Sequence, residues 1–384
     1  MPSEELCERS RIEAEPEKIT LSVIIPAYQA ERTIKRAVSS VVSCPDSRLE
    51  VVVVDDGSSD ATAKIVRALA AADRRIRLVR QANAGRSAAR NRGIAESHGK
   101  RIMFLDADDH LLDGAMFHVM DFCEDPHSLV VFPAIISTTP RYIGYSHTAV
   151  AVAAACERLE VCADEFMRWM IYSNPDELCG GLDLTRFEIN AVWARLYSRE
   201  CIDDSVIAAF GGAFPVGMRR SEDRLFNLAY LKSMGREDVV FDSLPVYYWD
   251  LGESKTVAVP SERDALDMPF FCESVKEMVK AEVVSPDEAT AICSKEFFHR
   301  FVSSVPANYA STEERKCLWV DIYNECAGPL NPSQLVLPAK GMRWAITRSL
   351  LKFGQIGAAF QFEVLLRTIK RKFLAIARAT APSE

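Results

Sequence analysis

Val51-Val52-Val53-Val54 is an unbroken β-branched run that stops at Asp55-Asp56-Gly57, and it limits the available folds more than any other feature of the chain. Four such residues in a row leave no polar face, so a strand made of them must be covered on both sides. Leu21-Ser22-Val23-Ile24-Ile25-Pro26 is a second run, Ile76 to Leu78 a third, and Arg101-Ile102-Met103-Phe104-Leu105 a fourth. Between the runs the period changes. Ile34, Ala37, Val38 and Val41 fall at i, i+3, i+4 and i+7, which is one face of a helix. Thr62, Ile65, Val66 and Leu69 mark a second helix, and a third runs through Ile94 after a loop from Gln81 to Arg86. Strands and helices alternating at this spacing predict an α/β domain, a largely parallel sheet with helices on both faces. In such sheets ligands bind beyond the carboxyl ends of the strands. Pro26-Ala27-Tyr28, Asp55-Asp56 and Asp106-Ala107-Asp108 all stand at such ends, so the three segments are expected to line one crevice.

With 384 residues the chain exceeds the usual single-domain size. The expected division is a polar tail at 1–19, a first half at 20–135, a second half at 136–258 and a helical region at 259–384. In the second half Thr138 to Thr148 reads as turn, Asp164 to Tyr172 as helix and Gly211 to Gly217 as loop. A helix starting at Ser221 and short strands at Val239–Phe241 and Val246–Trp249 follow. A net charge of −8 argues against nucleic acid as the main partner, because duplex binders carry a basic footprint. The first turn, Pro26-Ala27-Tyr28-Gln29-Ala30, has no glycine, which excludes the dinucleotide fingerprint and with it a nicotinamide-dependent oxidoreductase. Eleven cysteines without a CxxC pair, no secretory leader and no run of 18 apolar residues fit a reduced, cytoplasmic setting.

Asp106 and Asp108 are spaced so that both carboxylates can reach one hard cation. Mn²⁺ or Mg²⁺ prefers oxygen ligands and completes its shell with water and phosphate oxygens. Acidic triplets are also common without a metal: Asp108, Asp109 and Asp113 can equally cap a following helix or face solvent, and Asp109 suits that structural role best. Glu222-Asp223 forms a second carboxylate pair, in the first turn of a helix. A carboxylate there is well held, although the helix dipole reduces its basicity.

Four strings resemble the family 2 glycosyltransferases of GT-A fold, in family order over nearly a hundred residues. They are Ser22-Val23-Ile24-Ile25-Pro26-Ala27-Tyr28, Val53-Val54-Asp55-Asp56-Gly57-Ser58-Ser59-Asp60, Ala89-Arg90-Asn91-Arg92-Gly93 and Phe104-Leu105-Asp106-Ala107-Asp108-Asp109. The resemblance implies a Rossmann-like GT-A domain whose first half binds a nucleotide-sugar, whose second half binds the acceptor, and whose helical region follows. It implies that Pro26, Ala27 and Tyr28 pack on the nucleotide and that Glu31 lies near base and ribose, with Gln29 where the family usually has Asn. Asp56 would read the base, commonly uracil, and Gly85, Arg86 and Arg90 would close over the donor, the arginines offsetting phosphate charge. Asp55 is the better candidate for bracing the loop, and Arg90 is equally suited to a salt bridge with a strand-end Asp. Asp108 would ligate the metal with Asp106 and Ala107 beside it, Asp223 would be the general base with Glu222 in support, and Trp193 would be acceptor platform or core.

Taken together, the resemblance implies an inverting, metal-dependent transferase using a UDP-type donor and a glycan or lipid-linked acceptor in cell-surface polysaccharide synthesis. The alternative is an inactive nucleotide-sugar-binding protein on the same fold. Where the family often has Arg after the late aromatic run the chain has Asp250, with Lys255 as a substitute phosphate contact. Nine Lys/Arg against the single acid Glu363 between Lys340 and Arg378, interleaved with Leu and Phe, suit either an anionic membrane surface or packing on the catalytic domain.

Overall fold

The apolar runs pair into one sheet that carries every strand-end segment to the same rim. The structure is a computed structural model, and it describes residues 19–124, 129–136, 159–172, 178–179, 182–183, 190–202, 210–235, 237–250, 266–304, 312–326, 349–350, 357–360 and 362. The 1–19 tail (apart from residue 19), the 138–148 turn, Lys255 and most of the basic 340–378 segment lie outside them.

The strands are β1 (Leu21–Ala27), β2 (Leu49–Asp56), β3 (Ile76–Gln81), β4 (Arg101–Phe104), β5 (His110–Leu111), β6 (Leu129–Val131), β7 (Ala134–Ile136), β8 (Leu159–Cys162), β9 (Leu178–Cys179), β10 (Leu182–Asp183), β11 (Arg195–Ser198), β12 (Asp238–Phe241) and β13 (Tyr247–Trp249). The helices are α1 (Ile34–Val42), α2 (Thr62–Ala72), α3 (Arg86–Glu96), α4 (Ala115–Asp121), α5 (Ala163–Tyr172), α6 (Arg199–Ile202), α7 (Glu222–Met234), α8 (Met268–Lys280), α9 (Pro286–Ser304) and α10 (Thr312–Cys326). Eight strands form the central sheet in the order β3-β2-β1-β4-β11-β6-β12-β8. β3, β2, β1 and β4 run parallel to one another, as the alternation predicts. β11 enters antiparallel between β4 and β6, β12 pairs parallel with β6, and β8 closes the edge antiparallel. Strands from both expected halves therefore share one sheet.

Alternation along β1 explains why its apolar run is continuous. Leu21, Val23 and Ile25 face one core with α1, whereas Ile24 faces the other with Phe104, Phe226 and the α8–α10 helices. Gly93 lies on this second side, where any Cβ would overlap the Ile24 side chain, and so α3 packs directly on the sheet. Phe104, Phe214 and Phe226 meet there, with Phe214 stacked on Phe226 at 4.2 Å between ring centroids. No helix among the described residues is long and apolar enough to cross a membrane.

Candidate active site

Three parallel strands in register, β1, β2 and β4, end side by side, and their trailing residues meet. β1 delivers Tyr28, which is 51 % exposed, at the end of an otherwise buried run. Gln29 follows with φ at +52°, a left-handed conformation that non-glycine residues adopt at a cost. Its backbone N–H donates to Ser58 Oγ at 3.0 Å, its amide nitrogen to Ser59 Oγ at 2.9 Å, and its amide oxygen accepts from Asp60 N at 3.1 Å. Ala61 N–H donates to Glu31 Oε2 at 3.0 Å. Gln29 and Glu31 thus stitch the turn after β1 to the turn after β2.

Asp55 and Asp56 both brace backbone. Buried Asp55 accepts from Arg80 Nε at 2.9 Å and Ser58 N at 3.1 Å. Asp56, 3 % exposed, accepts from Gln81 Nε2, Ala84 N and Gly85 N at 2.8, 2.9 and 2.9 Å. A carboxylate offers about four acceptor positions, so the chain itself uses three of them. Gly57 makes this close approach feasible: its φ is +75°, and a Cβ there would lie 2.8 Å from Asn83 N.

After β4 the chain turns through Asp106, Ala107, Asp108 and Asp109. Each of the three acids offers a carboxylate oxygen within 4.8 Å of the others. Their surroundings divide them. Asp109 is 1 % exposed and accepts from Tyr247 Oη at 2.6 Å and Asp250 N at 2.8 Å. Burial and the neighbouring Asp106 and Asp108 charges push its carboxyl up to about 8. Tyr247 Oη also accepts from Asp106 N at 3.3 Å, so this buried tyrosine shapes the turn. Asp106 and Asp108 are only partly buried, and a hard cation fits their pair, with Asp109 holding the turn behind them.

Arg90 joins this rim to α7. It is 1 % exposed, with Nη2 3.1 Å from Asp106 Oδ1 and Nη1 2.5 Å from Asp223 Oδ1. Glu222 Oε1 is 3.5 Å from Arg90 Nη1 and pairs closely with Arg86 Nε. Burial lifts the Asp223 carboxyl to about 6, with Glu222 adding to the rise and Arg90 and Arg86 opposing it. A carboxyl raised that far exchanges its proton near neutrality, the range in which general-base chemistry operates.

Two alternatives that the sequence left open narrow here. Arg90 is enclosed by carboxylates and by the Phe214 ring, 5.3 Å from its guanidinium carbon, so the salt-bridge reading replaces direct phosphate contact. Trp193 is 7 % exposed, stacked on Tyr247 at 4.6 Å and tilted against Trp249 at 5.4 Å, so it is core and presents no open face for a sugar. Asp250 pairs with Arg36 at 3.0 Å, and Arg36 also donates to Asp108 O at 2.8 Å. Sequence reasoning missed Tyr247 and Arg36. The only signal for Tyr247 was a hydroxyl inside an apolar run, and Arg36 lay on the polar side of α1 with nothing to mark it.

The sequence profile described as Glycosyl transferase family 2 matches residues 22–190, which hold all three strand ends. The chain carries a family 2 glycosyltransferase domain. Glu222 and Asp223 lie beyond the matched segment. The glycosyltransferase is 25 % identical over 348 residues to the uncharacterized glycosyltransferase EpsJ of Bacillus subtilis, covering 90 % of this chain and 89 % of EpsJ. It is 33 % identical over 112 residues to the Campylobacter jejuni GalNAc(5)-diNAcBac-PP-undecaprenol beta-1,3-glucosyltransferase, covering 29 % of this chain and 36 % of that one. Its fold is similar to that of S. aureus TarS 1–349 in complex with UDP-GlcNAc, with a TM-score of 0.63 at 18 % identity and 91 % of each chain covered. The architecture is therefore GT-A.

Proposed function

We propose that this glycosyltransferase moves a sugar from a UDP-type donor to a glycan or lipid-linked acceptor with inversion, in the synthesis of cell-surface polysaccharide. The observation that carries the reading is the line Asp106–Arg90–Asp223, whose 3.1 and 2.5 Å contacts put a base of raised pKa next to the strand-end acids. Tyr28 offers an exposed ring for the base, and the remaining acceptor position on Asp56 suits a base N–H. Pro26 and Ala27 end the strand that carries that ring, while Glu31 and Gly85 hold the two loops beside it. Asp108 and Asp106 would hold Mn²⁺ or Mg²⁺, which when bound supplies positive charge to the departing diphosphate.

Asp223 takes the proton of the acceptor hydroxyl as that oxygen attacks the anomeric carbon. Arg90 cannot give up its own proton, so it keeps Asp223 oriented without competing for the base role. Glu222 anchors Arg86 on the same side. TarS was crystallised with UDP-GlcNAc and with UDP, and the Campylobacter enzyme acts on an undecaprenol-linked glycan, which supports a UDP donor and a lipid-linked acceptor. The basic 340–378 segment suits docking of such an enzyme on the inner face of an anionic membrane.

The test is a thermal-shift series with UDP-sugars and Mn²⁺ on the parent chain and Asp108→Ala. A shift of several degrees that needs both sugar nucleotide and metal, and is lost in Asp108→Ala, is the expected result. No shift with any UDP-sugar in the parent would sink the donor assignment.

A further inference from the structure

We propose that Glu296 and Arg300, on α9 and outside the segment matched by the family profile, are positioning residues that fix where the Asp223 carboxylate stands. The inference rests on the reading of Asp223 as the base. Its ground is the short link Arg219-Arg220-Ser221 that leads into α7. Each of these three residues is held by the C-terminal helical region. Arg219 N donates to Asp267 Oδ2 at 3.0 Å, Arg220 O accepts from Arg300 Nη2 at 3.0 Å, and Ser221 Oγ donates to Glu296 Oε1 at 2.5 Å.

Ser221 is the telling residue. Serine at the residue before a helix ordinarily turns its oxygen onto the helix's own backbone N–H groups. Here Ser221 sits in the left-handed region, with φ +68° and ψ +10°, and makes no side-chain cap bond to α7. Its hydroxyl is committed to Glu296 instead. A non-glycine residue stays in that conformation only when its surroundings over-determine it. Glu296 and Arg300 supply that determination, being 6 % and 3 % exposed. Arg300 Nε donates to Glu296 Oε1 at 2.7 Å, Arg224 Nη1 stands 3.6 Å from Glu296 Oε2, and the Arg300 guanidinium lies over the Phe271 ring of α8 at 5.4 Å.

Held at residues 219, 220, 221 and 224, the first turn of α7 has no freedom to rotate, and Asp223 is carried on that turn. Rotation would lengthen the 2.5 Å contact with Arg90 and swing the base away from the rim. The helical region after the catalytic domain is thus part of the base's support, not an appendage.

Glu296→Gln keeps the shape and removes the charge, Arg300→Lys is the conservative partner change, and Ser221→Ala removes the hydroxyl alone. Two readouts apply to the full chain. Hydrogen exchange of peptides covering 218–226 needs no substrate. It should quicken about 10-fold in Glu296→Gln and Ser221→Ala with exchange over β1–β4 unchanged, while the melting temperature holds in Ser221→Ala and falls in Glu296→Gln, which takes a carboxylate from between buried Arg224 and Arg300. UDP release from UDP-GlcNAc with Mn²⁺, or from the UDP-sugar that gives the largest thermal shift, should show kcat lower by about 10- to 100-fold at unchanged donor KM, with the acid limb of the pH profile displaced. Arg300→Lys should fall between parent and Glu296→Gln.

Parent-like exchange over 218–226 in both Glu296→Gln and Ser221→Ala overturns the inference, as does parent-like kcat and pH profile. A uniform loss of melting temperature with the acid limb unmoved would show scaffolding alone and also overturn it. If Asp223→Asn retains turnover, the base assignment fails by itself. If Asp223→Asn is inactive while Glu296→Gln matches the parent, only the positioning role fails.

Discussion

On the proposed donor side of the crevice, Tyr28, Asp56 and Asp106 stand at the ends of three parallel strands, and the bonds that steady the first two turns join residues about thirty positions apart. On the proposed acceptor side, Asp223 lies in the first turn of α7 and is steadied by Arg90, 133 residues earlier, and by the link at Ser221 and Arg220, tied to α9 residues 75 and 80 positions further on. The first side is largely backbone geometry, with short polar side chains filling in. The second is a set of charges balanced against one another. Geometry of the first kind tolerates loss of a side chain; a charge balance of the second kind does not.

The sharpest way to break this contrast is Asp223→Asn, which should lower turnover about 10³-fold while leaving nucleotide affinity alone, read by UDP release and calorimetry. In the parent, activity should fall as the pH drops through about 6, where the base becomes protonated. The sign for stability is opposite. Because the folded-state value lies above the ordinary Asp value of 3.8, protonated Asp223 stabilises the fold at low pH, and that contribution is lost as the pH rises through about 6. Next in size is Arg90→Ala, which strands Asp106, Asp223 and Glu222 together. It should cost about 3 kcal/mol in denaturant melts, the lower end of the range because Asp106 and Asp223 keep some water contact, and should cut turnover as well. Tyr28→Ala tests the donor side, with donor KM raised about 10-fold and stability unchanged, since the ring is half exposed. The smallest effect belongs to Trp193→Phe, a loss of about 1 kcal/mol with acceptor KM unmoved. A large change in acceptor KM would return Trp193 to the acceptor site.

The donor side was legible because its residues are punctuation. Each follows an apolar run by one to three positions, and the strand-end rule then groups them without any tertiary knowledge. Asp106 and Asp108 were found in that way. The separation of Asp109 from them was also legible in outline, but its cause, the Tyr247 hydroxyl 138 positions away, was not. Arg90 was ambiguous because a helical arginine at a strand-end rim can meet a phosphate or a carboxylate. Only the approach of α7 decides, and periodicity carries no trace of it. Trp193 shows the same limit, since an aromatic beside a strand reads equally as platform or core until its partners are placed. The mixed part of the sheet, where β11 enters antiparallel between β4 and β6, depends on long crossovers that leave no local mark.

One further consequence follows from the enclosure of Arg90 between Asp106 and Asp223. A fixed positive charge shared by two acids turns them into communicating reservoirs. Cation uptake at Asp106 would leave more of the guanidinium's field for Asp223 and lower its affinity for a proton. By reciprocity, ionising Asp223 would tighten cation uptake by the same factor. On the proposed mechanism, cation uptake at Asp106 and ionisation of Asp223 are then one coupled equilibrium, and a rise in pH and a rise in cation concentration should each favour the other.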